Sequence, residues 1–174
     1  YTAVVDAWVV ELYDDLFAGV PGVALVATGG HGRRALAPQS DLDLLLVHAP
    51  WPWDEIGADY REQNKEVWTA MEEFLASGRV KAIGVSNFER ADLESLLPAC
   101  QTPPMVNQIR WFVGLDPSET VDYCAEQNII VEAYSPFAHG LIVNHPEIAN
   151  IAASYGVSAP QLCIRYLLQK GAVV

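Results

Sequence analysis

The chain of 174 residues suits one compact domain, and 22 acids against ten bases leave a formal charge of −12, which repels phosphate backbones and excludes nucleic acid as a natural partner. Apolar residues make up 51% and charged residues 18%, a composition that can fill a core and that excludes a disordered chain. No apolar run reaches the roughly 18 residues of a membrane span, and the N-terminus lacks a basic-then-apolar leader, so the expectation is a soluble, cytoplasmic protein with no membrane contact.

Val4, Val5, Trp8, Val9, Leu12 and Leu16 recur at helical spacing, and Pro21-Gly22 breaks that helix before an apolar strand over 23–27. Gly29, Gly30 and Gly32 form a corner, a short helical piece follows around 33–36, and Pro38-Gln39-Ser40 leads into a strand over 42–48. A long loop with two Trp and two Pro runs over 49–60. From Asn64 onward, helices with clear ends alternate with short strands. Val67, Met71, Phe74 and Leu75 give the first of these helices its buried face, and Gly78 ends it. Strands are expected over 80–85, 104–109 and 129–133, with a short final one over 172–174. Leu93, Leu96 and Leu97 mark a helix stopped by Pro98, and Asp116-Pro117-Ser118-Glu119 caps another that runs to about Gln127. Ile148, Ile151, Ala152 and Tyr155 share one helical face, closed by Gly156. Ser158-Ala159-Pro160-Gln161 caps the last helix, which turns Leu162, Tyr166 and Leu167 inward. Cys100, Cys124 and Cys163 stand far apart and read as small buried thiols with no zinc spacing.

Polar groups fall at four strand ends: His48, Ser86-Asn87, Asn107-Gln108 and Tyr134-Ser135. Each has a structural reading of its own: His48 as a strand-end histidine, Ser86-Asn87 as the N-cap of a helix over 89–97, and Tyr134 as a packing residue. His139 and His145 read as solvent-facing loop residues. Taken together, the segments Leu44-Leu45-Leu46-Val47-His48-Ala49-Pro50-Trp51-Pro52, Val80-Lys81-Ala82-Ile83-Gly84-Val85-Ser86-Asn87-Phe88, Val106-Asn107-Gln108-Ile109 and Val131-Glu132-Ala133-Tyr134-Ser135-Pro136 resemble successive signatures of the aldo-keto reductases, over roughly residues 42–174.

That resemblance implies a partial TIM-barrel-like α/β fold of repeated βα units on mostly parallel strands, NADP as cofactor and a small-molecule carbonyl as substrate. It implies that His48 orients the carbonyl, that Ser86, Asn87 and Gln108 bind the nicotinamide carboxamide, and that Tyr134, followed by Ser135, stacks on the nicotinamide ring. The family's proton-donating Tyr, with its Lys and Asp, belongs to the first half of the barrel, outside the resembling segments. The phosphate-binding Lys and Arg that follow the eighth strand are likewise not matched, and the family's His-Pro after the Asn-Gln-Ile strand is replaced by Trp111-Phe112-Val113-Gly114. Little or no oxidoreductase turnover is therefore expected, with Tyr60 or Tyr13 the stand-ins for an acid.

Residues 1–46 resemble a different family, the nucleotidyltransferase domain of the bacterial uridylyltransferases that modify the nitrogen-signalling regulator. Gly29-Gly30-His31-Gly32-Arg33-Arg34, Pro38 and Ser40-Asp41-Leu42-Asp43-Leu44 carry the likeness. It implies that Gly29 and Gly30 approach nucleotide phosphates and that Asp41 and Asp43 bind magnesium, two carboxylates alternating along a strand and so sharing a face. The family's third carboxylate has no counterpart, and the plain alternative is a turn followed by a polar strand start. The expected organisation is a nucleotidyltransferase-like helix-strand-turn-strand over 1–48 joined to a half-barrel over 49–174 in one globular unit. Its N-terminal strands would replace the third and fourth barrel strands in a sheet of about six, too few to close a barrel. Open sheet edges would then be covered by the first helix, paired in a homodimer, or left open and prone to association. Three functions follow: a reductase-derived scaffold that keeps a nicotinamide pocket, a residual nucleotide and magnesium binder, or a folded scaffold with no small-molecule role.

Overall fold

The computed structural model describes residues 25–27 and 42–174, with side chains from Leu44 onward. Two compact units make up the chain, Tyr1–Met105 and Val106–Val174. The expected first helix and the helical piece around 33–36 lie outside the described residues.

In the first unit, strand β1 (Leu25–Ala27) pairs with β2 (Leu42–Val47), helix α1 (Arg61–Ala76) leads to β3 (Val80–Ser86), and α2 (Arg90–Leu96) runs into a 3-10 turn at Leu97–Ala99. β2 and β3 are parallel, in a register that sets Val47 beside Val85. β1 is antiparallel to β2, with Leu25 opposite Val47. The expectation that the N-terminal strand replaces a barrel strand is therefore corrected, because a strand running against its neighbour has no place in a ring of parallel strands.

Leu45, Leu46 and Val47 are buried in succession, as are Ile83, Gly84, Val85 and Ser86. Such runs mark strands covered on both faces, the usual condition of a parallel pair. α1 buries Val67, Trp68, Met71 and Phe74, whose spacing is one helical stripe. Leu75, expected on that stripe, is only half-buried. Trp68 takes the deeper place and donates its indole N–H to the Thr102 carbonyl at 3.0 Å. The helix starts at Arg61, directly after the expected loop, where the Asp59 carboxylate accepts the Arg61 backbone N–H at 3.2 Å. Gly78 ends the turn in the left-handed region, φ +74°, where only glycine is free of strain.

In the second unit, β4 (Val106–Arg110) and β5 (Ile130–Tyr134) are parallel and flank α3 (Ser118–Glu126) in sequence. A 3-10 turn at Ala138–Gly140, α4 (Pro146–Ser154) and α5 (Ala159–Gln169) follow. α5 has the expected capping box: the Ser158 N–H donates to Gln161 Oε1 at 2.9 Å, and the Gln161 N–H donates to Ser158 Oγ. α3 begins one residue later than expected, its Ser118 N–H donated to the Asp116 carboxylate at 3.1 Å.

The last expected strand reduces to a single parallel bridge between Glu132 and Val173. Ala133 donates to the Val173 carbonyl, and Val173 in turn donates to Val131. The described residues thus hold five strands and a bridge, where about six strands were expected.

Cys163 and Leu167 carry the core face of α5, whereas Leu162 and Tyr166, expected inward, are half-buried. On α4 only Ala152 is buried, and Tyr155 is 74% exposed. The apolar side chains of the two helices instead line a groove of about 560 Å³ with Val113, Arg165 and Gln161. Among the described residues, no helix is long and apolar enough to cross a membrane.

Candidate functional site

Parallel pairing brings the ends of β2 and β3 to one edge. With Val47 level with Val85, His48 and Ser86 leave the sheet side by side. Asn87 then turns into the left-handed region, φ +59°, which asparagine tolerates better than most residues. From there its Nδ2 donates to the His48 carbonyl at 2.9 Å and to Ser86 Oγ at 3.1 Å. Ser86 itself is buried.

The structural reading of Ser86-Asn87 as a helix cap is corrected. α2 is capped by Glu89, whose backbone N–H donates to Asp92 Oδ2 at 3.0 Å, and this leaves Asn87 to tie two strand ends together. Burial holds the Asp92 carboxyl above the usual carboxylate range, against the lowering effect of the Glu89 N–H.

The loop after His48 turns back over this edge. Asn64 Nδ2 anchors it by donating to the Pro50 carbonyl at 2.9 Å. Trp53 Nε1 donates to His48 Nδ1 at 3.4 Å, and the two rings meet edge to face with centroids 5.4 Å apart. Beside them a pocket of about 340 Å³ is lined by Trp51, Tyr60, Arg61, Asn87, Glu89 and Asp92. Its size falls at the low end for small-molecule sites.

Tyr60, one of the two stand-in acids, donates its hydroxyl to Glu55 Oε2 at 2.6 Å, and that bond raises its pKa above the ordinary phenol value. A proton already engaged by a carboxylate is poorly placed for transfer to a carbonyl, so Tyr60 is a weak choice. Tyr13 lies outside the described residues.

In the second unit, Gln108, expected at a strand end, lies inside β4, which runs on to Arg110, while Tyr134 ends β5 and is followed by Ser135. Gln108 is half-buried, while Asn107, offered by the sequence as a polar strand-end group, is fully buried and donates from Nδ2 to Cys124 Sγ at 3.6 Å. The strand's alternation explains this: neighbouring residues point to opposite faces. Burial raises the Tyr134 hydroxyl pKa, opposed by the charge of Arg110.

Three non-glycine residues after β5 have positive φ: Ser135 at +54°, Ala138 at +46° and His139 at +56°. Each costs about 1–2 kcal/mol for a residue with a β-carbon, and such strain gathers at functional turns. His139 and His145 are exposed, as expected. Gly29, Gly30 and Asp41 lie outside the described residues. Asp43 is described only as part of the β2 backbone. Among the described residues, no three His, Cys, Asp or Glu side chains gather into a metal site.

The three thiols are inert by environment. Burial and the Glu72 carboxylate push Cys100 up to about 12, and burial raises Cys124 and Cys163.

Comparison with known proteins gives the chain a family. The aldo/keto reductase family model matches residues 36–174. The match takes in Pro38, Ser40, Asp41 and Asp43, which also form the second half of the nucleotidyltransferase-like pattern. Similar proteins include an uncharacterized oxidoreductase, YtbE, and a glyoxal reductase, both of Bacillus subtilis. They are 41% and 37% identical over 132 residues, covering 76% of this chain and 44% and 45% of theirs. Among solved structures, the aldo-keto reductase of the silkworm Bombyx mori aligns at 35% identity with a TM-score of 0.65, over 76% of this chain and 44% of that one. That reductase has also been crystallised in complex with NADPH. The chain spans a little under half the length of these relatives. With its family signatures carried on parallel strands and a family match over residues 36–174, the chain belongs to the aldo/keto reductases.

Proposed function

We propose that this chain carries the nicotinamide and carbonyl-orienting side of an NADP-dependent aldo-keto reductase. The observation that supports the reading best is the Asn87 junction. A left-handed residue whose amide ties the end of β2 to the end of β3 is a costly arrangement that helix capping does not explain.

The residue types fit the cofactor. A carboxamide presents both donors and an acceptor, which the Ser86 hydroxyl and the amides of Asn87 and Gln108 can answer. The flat, partly covered ring of Tyr134, with Ser135 behind it, suits a nicotinamide face. The cofactor supplies the hydride, and His48 orients the carbonyl of a small aldehyde or ketone. The resemblance assigns the proton to a Tyr, Lys and Asp of the first half of the family's barrel, outside the resembling segments, so the 174-residue polypeptide is expected to bind the cofactor but to reduce carbonyls slowly or not at all. Titration with NADPH, followed by cofactor fluorescence, tests this. Saturable binding weakened in Tyr134→Ala supports it, and a flat trace at millimolar NADPH rules out the pocket.

A second reading rests on the antiparallel β1–β2 pair, which a run of parallel barrel strands does not supply. It takes residues 1–48 as a nucleotidyltransferase-like fragment joined to a half-barrel over 49–174. Gly29 and Gly30 would then meet a nucleotide phosphate, and Asp41 and Asp43 a magnesium ion. Calorimetric titration with UTP and magnesium decides it: heat lost in Asp43→Ala supports the reading, and identical flat traces dismiss it.

A further inference from the structure

We propose that Trp53 is a positioning residue that fixes the His48 imidazole as its Nε2–H tautomer, so that the ring offers a hydrogen-bond donor, not a lone pair, to a bound carbonyl oxygen. The proposal rests on the reading of His48 as the residue that meets the carbonyl. The tryptophan's part in it follows from the geometry of this chain.

An indole nitrogen only donates. Trp53 Nε1 faces His48 Nδ1 at 3.4 Å, so Nδ1 must serve as the acceptor. A neutral imidazole has one donor and one acceptor nitrogen, and the proton therefore sits on Nε2. With the opposite tautomer, two N–H groups would point at each other, and Nε2 would turn a lone pair toward an electron-rich oxygen.

The contact is held from several sides. The His48 and Trp53 rings meet edge to face at an interplanar angle of 63°. Trp51 packs edge-on against Trp53, with centroids 5.2 Å apart, and this steadies a side chain that is 52% exposed. The His48 backbone is fixed separately by the Asn87 amide, and the loop between is anchored at Pro50 by Asn64. Backbone and ring of His48 are thus oriented by different partners, and among the described residues it is Trp53 that faces a ring nitrogen.

The test uses the full 174-residue chain labelled with ¹⁵N-histidine, in mildly alkaline buffer. Four histidines are present, and the signals missing in His48→Gln identify His48. The ring-nitrogen shifts then read its tautomer directly. Wild type is expected to show the Nε2–H form. Trp53→Phe keeps an aromatic edge against the imidazole but removes the N–H, and the ratio of Nε2–H to Nδ1–H at His48 should fall about five-fold, the factor of one ordinary net hydrogen bond. An Nδ1–H ring in wild type overturns the proposal, as does an unchanged ratio in Trp53→Phe. NADPH binding is a separate measurement. Its failure would remove the functional reading while leaving the tautomer result in place.

Discussion

Replacing Asn87 by alanine and by glycine separates the two things that residue does. Both variants lose the amide bonds to the His48 carbonyl at 2.9 Å and to Ser86 Oγ at 3.1 Å, which at a net ~0.5–1.5 kcal/mol each costs ~1–3 kcal/mol. They differ in backbone strain. At φ +59°, alanine keeps a β-carbon in the left-handed region, at about 1 kcal/mol or more, while glycine does not. Asparagine carries that β-carbon too, so Asn87→Ala should lose ~1–3 kcal/mol for the two bonds, and Asn87→Gly, which relieves the strain, about 1 kcal/mol less. Urea unfolding followed by tryptophan fluorescence reads the gap. With a slope of ~1–3 kcal/mol per molar urea, it amounts to roughly 0.3–1 M between the two midpoints at equal slopes. Both variants should bind NADPH more weakly, because the amide is gone from each. If alanine proves as stable as glycine, or if neither differs from wild type, the junction carries neither the strain nor the bonds assigned to it.

Asp92 supplies a pH test. Its folded pKa lies above the ordinary 3.8 chiefly through burial, so the folded state holds that proton more tightly. The contribution to stability is then fully present below 3.8 and is lost as pH rises through the folded value. Asp92→Asn keeps an acceptor for the Glu89 N–H without the charge, and relative to wild type it should gain stability between pH 4 and pH 7. A relative loss over that range would contradict the burial argument. Tyr60→Phe removes a hydroxyl engaged by Glu55 on the exposed loop and should change stability by less than about 0.5 kcal/mol. It should also leave any residual carbonyl reduction intact, and a collapse of that activity would make Tyr60 the acid after all. Cys100, pushed up to about 12, has roughly one thiolate in ten thousand at pH 8. Labelling of the folded chain by a thiol-specific disulfide reagent should accordingly be slow for all three cysteines and rapid in denaturant, and fast labelling without denaturant would refute the burial reading.

The repeated βα pattern from Asn64 onward was legible because its signals are local. Gly78, the Ser158-Gln161 box and the apolar stripe of α1 act within one or two helical turns, and each reappears near its expected place. The family signatures were legible for a related reason, since each is contiguous with one strand; the expected strand-end placement holds for His48, Ser86, Asn87 and Tyr134, whereas Gln108 lies inside β4. Burial on the last two helices was not. Periodicity finds a stripe but not what covers it, and Tyr155, Leu162 and Tyr166 line an open groove instead of a core.

Composition, periodicity and motif order determined the class of fold, the run of elements and the family, because these depend on short-range chemistry written along the chain. Strand direction and side-chain pairing were decided by tertiary structure alone. Whether β1 runs with or against β2, whether Asn87 caps a helix or ties two strand ends, and which nitrogen of His48 faces Trp53 are settled by groups distant in sequence or by a loop folding back. A hydrogen bond depends on separation and angle in space, and neither is set by spacing along the chain.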